Sequence, residues 1–81
     1  MKILINPGFN NRLRIIKNKA KPFVIVEIEN FLKEIEENPY TGEQLGKTDV
    51  YKISLESHYC TYIVVYEYSS EKNELIFWSI E

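Results

Sequence analysis

Near residue 40 the apolar residues of this 81-residue chain change their spacing, from steps of three and four to steps of two. A helix returns to one face every 3.6 residues and a strand every two, so the change fixes which half can be helical and which can form a sheet. Before it, Val24, Ile28, Phe31, Leu32 and Ile35 mark an apolar stripe three turns long, with Glu27, Lys33, Glu34 and Glu37 opposite. This predicts a helix that starts at Pro22, where the first turn tolerates proline, and stops at Asn38-Pro39, where proline pushes its predecessor out of the α region. Phe9, Leu13 and Ile16 predict a shorter helix after Pro7-Gly8, followed by the polar connection Asn18-Lys19-Ala20-Lys21. Ile3 and Ile5, ahead of Asn6-Pro7-Gly8, suit a short first strand.

After a loop over Tyr40 to Thr48, Tyr51, Ile53 and Leu55 alternate with Lys52, Ser54 and Glu56, the mark of a strand with one wet face. Tyr59 to Tyr68 is rich in β-branched and aromatic residues, and Ile63, Val64 and Val65 are apolar on both faces, which predicts the central strand. Leu75 to Ile80 forms the last strand, with turns at Glu56-Ser57-His58 and Ser69 to Asn73. The expected fold is therefore α+β. A short first strand and a two-helix hairpin precede a three-strand antiparallel meander, over roughly 48–80, that packs on the helices. The length suits a single domain spanning 1–81.

Cys60 is the only cysteine, so no internal disulfide and no cysteine-based metal site can form, as befits a reducing, cytoplasmic setting. Neither a cofactor nor a metal is expected, and no apolar run is long enough for a membrane span. The net charge of −2 hides an asymmetry. Residues 1–22 carry Lys2, Arg12, Arg14, Lys17, Lys19 and Lys21 and no acid, whereas the rest carries four lysines and all twelve acids, or +6 against −8. Arg12, Arg14, Lys17, Lys19 and Lys21 are the candidate nucleic-acid-binding group, with pairing between a basic first helix and an acidic second helix as the plainer alternative. Lys47 and Lys52 can form a phosphate-facing pair or simply a solvated strand edge. His58 titrates near neutrality and is the candidate acid or base, although a lone histidine is also an ordinary turn residue. Cys60 carries no nucleophile signature. Tyr51, Tyr59, Tyr62, Tyr66, Tyr68, Phe77 and Trp78 can stack bases, but strand aromatics usually serve packing.

Asn38-Pro39 with Gly42, Leu45, Gly46 and Lys47, then Val50-Tyr51-Lys52-Ile53 and Tyr62-Ile63-Val64-Val65-Tyr66-Glu67, follow two helices in an order and spacing that resemble the RelE/ParE superfamily of type II toxin–antitoxin toxins. The resemblance implies a helical hairpin on a small, mostly antiparallel sheet, and a small cognate antitoxin as partner. It also implies a target: ribosome-bound messenger RNA cut on the sheet, or a protein such as gyrase in the non-catalytic branch. The nucleases of the family work with arginines, lysines and a tyrosine. At matching positions Lys52 keeps a cation, while Ser54 and Ile63 stand where arginines are expected and the sequence to Glu81 carries no arginine-and-tyrosine tail. With a pI near 5.4 as well, the expectation is a toxin component without ribosome-dependent cleavage. An active nuclease with Lys47, Lys52 and His58 as substitutes is the rival.

Overall fold

The computed structural model describes residues 1–57 and 60–81. Strand β1 (Lys2–Ile5) leads to helices α1 (Pro7–Lys19) and α2 (Pro22–Glu37), and then to β2 (Glu43–Gln44), β3 (Val50–Glu56), β4 (Thr61–Ser69) and β5 (Glu74–Ile80). The sheet order is β1-β5-β4-β3-β2. The last three strands form the antiparallel meander that the period change predicts, and β1 adds to its β5 edge in parallel.

Local chemistry sets the helix ends. Asn6 caps α1, its side chain accepting a long 3.5 Å hydrogen bond from the Gly8 amide, and Pro7 occupies the first helical position. The helix runs through Asn18 and Lys19, which sequence spacing assigned to the connection. Lys17 and Lys19 sit in its last turn, where cations favour the carbonyl end, and the Ala20 amide closes it on the Ile16 carbonyl. α2 ends at Asn38, whose amide reaches the Glu34 carbonyl. No helix among the described residues is long and apolar enough to cross a membrane.

One sheet face packs on the helices. Phe9 and Ile16 of α1 and Val24, Ile28, Phe31 and Ile35 of α2 meet Tyr51, Val64, Tyr66, Leu75, Phe77 and Ile80 in a shared core. Phe77 and Ile80 are three residues apart, and strict alternation would turn one of them to solvent. An irregularity in the β4–β5 pairing resolves this: Tyr66 pairs with Phe77, whereas Val65 pairs with Ser79, so Trp78 is the extra residue of a bulge. Both Phe77 and Ile80 are thereby buried, and Trp78 is sent to the other face.

The loop from α2 into the sheet, read from sequence as irregular, contains β2 and is fastened by Tyr66. Its buried hydroxyl donates to the Pro39 carbonyl (2.8 Å) and accepts from the Gly42 amide (3.0 Å). A β-carbon at Gly42 would stand 2.8 Å from that hydroxyl and 3.0 Å from the Lys52 carbonyl, which is why glycine is needed there. Burial holds the Tyr66 phenol above its ordinary pKa of 10, against a lowering by the Gly42 hydrogen bond; Tyr51, stacked on it at 5.4 Å, is raised by burial too. A phenol whose folded pKa is raised contributes stability that is complete below pH 10 and is lost as pH climbs through the folded value, since the unfolded chain then gives up protons first. Thermal melts should therefore hold steady towards pH 10 and decline above it. Tyr66→Phe should lose about 1–3 kcal/mol at neutral pH by orphaning two loop groups, and should soften the alkaline decline. A neutral-pH melt equal to wild type would refute the fastening role.

Candidate functional site

The sheet face opposite the helices is uncovered. Directly paired residues share a face, so the registers place Lys52, Ser54 and Glu56 of β3, Ile63, Val65 and Glu67 of β4, Ile76 of β5, and Lys2 and Leu4 of β1 on it. Trp78 joins them through the bulge, its indole N–H donating to Glu67 Oε1 at 3.1 Å. Leu4, Ile63 and Trp78 are exposed, and Val65 and Ile76 are half-buried between them. An apolar band thus crosses the open face from the β1 edge to β4.

Charge on this face is mostly acidic. Lys2 and Lys52 share it with Glu43, opposite Lys52 on β2, and with Glu56, Glu67 and Glu74. Ser54 and Ile63, the two positions where the family resemblance expects arginines, are direct cross-strand partners. Arginines there would have concentrated two cations beside Lys52; instead a hydroxyl faces an aliphatic side chain. RNA cleavage needs cations to stabilise a phosphorane-like charge and an acid and base for two ribose oxygens. The described residues of this face bring one lysine to the centre and no second cation beside it.

The other candidates are dispersed. Lys47 lies in the turn between β2 and β3, off the strand that carries Lys52. His58 lies outside the described residues, as does Tyr59. The basic group of α1 divides between two sides of the helix. Arg12, Lys19 and Lys21 line a cleft of about 410 Å³ with Cys60 and Tyr62. Arg14 and Lys17 line a polar groove with Asn10, Asn11 and Asn18. Lys17 also pairs with Glu29 of α2 at 3.1 Å, an instance of the basic-helix-on-acidic-helix pairing offered by the sequence. The aromatics mostly serve packing: Tyr51, Tyr66 and Phe77 are buried under the helices, Tyr62 and Tyr68 half-buried beside them, and Trp78 alone among those described faces out on the open side. The Tyr62 phenol is raised by its hydrogen bond with Cys60 first, and then by burial and the nearby Cys60 charge, against a lowering by Arg12. Sequence reasoning missed the Trp78–Glu67 pair and the contribution of Leu4, because a bulge and a parallel pairing put them there.

No protein-family model and no curated protein matches the chain. Solved structures do. A chain of the intact E. coli RelBE toxin–antitoxin complex superposes with a TM-score of 0.73 at 25% identity, over 98% of this chain and 92% of that one. The chain has the RelE-like toxin fold. The isolated E. coli RelE toxin aligns with a TM-score of 0.71 at 25% identity, over 98% of this chain and 80% of its own. A RelE mutant bound to a RelB antitoxin peptide aligns at 0.63 with the same identity, over 98% and 79%. Within this RelE-like framework the open face, opposite the helices, carries the apolar band.

Proposed function

We propose that this chain is the toxin component of a type II toxin–antitoxin module, and that its open sheet face binds a small antitoxin protein rather than cutting RNA. The supporting observation is the replacement of paired cations by Ser54 facing Ile63 within a band that exposes Leu4, Ile63 and Trp78. Contiguous apolar surface rimmed by polar residues suits a protein interface. Four glutamates against two lysines repel the polyanion that a nuclease must hold. The E. coli relatives, solved with antitoxin RelB, support the choice of partner.

Induced expression alone and beside the adjacent small gene tests this. Arrest relieved by the neighbour, a tight complex, and intact ribosome-bound messenger RNA are the expected results. Cleavage within the ribosomal site that disappears with Lys52→Ala would establish the nuclease instead. A second reading, inhibition of a protein target such as gyrase, draws on the same apolar band. Arrest that persists in Lys52→Ala with DNA-damage signalling would favour it.

A further inference from the structure

On the helix side, away from the open face, lies the cleft of about 410 Å³ between α1, the first turn of α2 and the start of β4. Its floor is Ile16 and Val24, both buried, and Ile15 supplies a wall that is 41% exposed. Arg12, Lys19 and Lys21 stand around it with no acid among the described lining residues, and Tyr62 and Cys60 add one hydroxyl and one thiol. The volume lies within the range of small-molecule sites, which combine an apolar lining with a few convergent polar groups. A purely apolar guest would leave Arg12 and Lys19 unanswered, and a bare anion would leave the aliphatic floor wet.

From this pairing of an aliphatic floor with a cationic rim, we infer that the cleft binds a small amphipathic anion: an aromatic ring or short alkyl chain that ends in a carboxylate or phosphate. The head lies between the long side chains of Arg12 and Lys19, which sit on one side of α1 two helical turns apart at i and i+7, and the apolar body rests on Ile15, Ile16 and Val24. Chain-like polyanions are disfavoured, because the lining offers one cluster of cations and an aliphatic floor where RNA would need a phosphate track and free ring faces. The inference is independent of the toxin reading, since none of the described lining residues belongs to the open face.

Amide shifts of the full ¹⁵N-labelled chain, titrated with octanoate, octyl phosphate, octanol and inorganic phosphate, test it. Saturable shifts at Ile15, Ile16, Lys19, Ala20, Val24 and Tyr62 are expected with octanoate or octyl phosphate, and the tighter of the two identifies the head group. Octanol and inorganic phosphate should bind at least tenfold more weakly. Arg12→Gln with Lys19→Gln, both at exposed positions, should weaken the amphipathic anions at least tenfold while moving the melting temperature by only a few degrees. Octanol binding as well as octanoate, phosphate binding as well as octyl phosphate, shifts centred on Leu4, Ile63 and Trp78, or no saturation would each overturn the assignment.

Discussion

Phe77→Ala is expected to remove most of the stability of the fold. The ring is 2% exposed, stacks on Phe9 at 5.2 Å and lies 6.5 Å from the Tyr66 ring, so it joins α1 to the middle of the sheet. Truncating a buried phenylalanine costs about 3–5 kcal/mol through lost transfer energy and the cavity left behind. At roughly 0.05–0.15 kcal/mol per residue, a domain of this size holds only about 4–12 kcal/mol in total. With each kcal/mol worth about 4–8 °C at this length, the melting temperature should fall by about 12–40 °C or the cooperative transition should vanish. Ile63→Ala, on an exposed neighbour strand position, is the control and should stay within about 1 kcal/mol. A Phe77→Ala melt within a few degrees of wild type would mean that α1 does not depend on the β5 bulge for its seat.

The bulge also marks where the sequence stops being readable. Helix α2 was legible because Val24, Ile28, Phe31 and Ile35 repeat over enough turns to outvote noise, and all four are buried. Strand β4 was legible because Val64 and Tyr66 sit in a β-branched, aromatic run that only a central strand accommodates. The pairing of Lys2–Ile5 with residues 74–77 was not, since four residues carry too little pattern to name a partner seventy-two positions away. Gly42 is dictated by Tyr66, twenty-four residues on, and no local signal announces a close approach of that kind. The basic stretch illustrates a different limit. Arg12 and Lys19 fall on one side of α1 and Arg14 and Lys17 on another, a division that helical spacing contains but that counting charges along the chain conceals. The candidate site was legible in its substitutions, Ser54 and Ile63, because a family pattern supplied the comparison. Their facing each other was a matter of register, which sequence alone leaves open.

On the proposed reading, Trp78→Ala should weaken the complex with the antitoxin by about 30-fold or more while leaving the isolated protein folded. The indole is 41% exposed, and its one hydrogen bond, to Glu67, lies at the surface, so the cost to the free protein should be about 1 kcal/mol, the span of strand propensities. In an interface the same ring is a large, rigid apolar surface at the middle of a band, and tryptophans so placed typically contribute 2 kcal/mol or more, which is about 30-fold in affinity. The chain has a single tryptophan, so the wild-type protein reports on its own docking. Its emission should move to the blue and its quenching by acrylamide should fall when the antitoxin binds, because the ring passes from water into a covered face. Arg14→Ala, on the far side of the molecule from that face, should leave both the signal and the affinity unchanged. If a tight complex forms with Trp78 emission and quenching unaltered, the antitoxin lies elsewhere and the apolar band is left for a protein target. If the band is the docking face, inhibition and target binding compete for one surface, and excess antitoxin should then displace the target in proportion to its concentration.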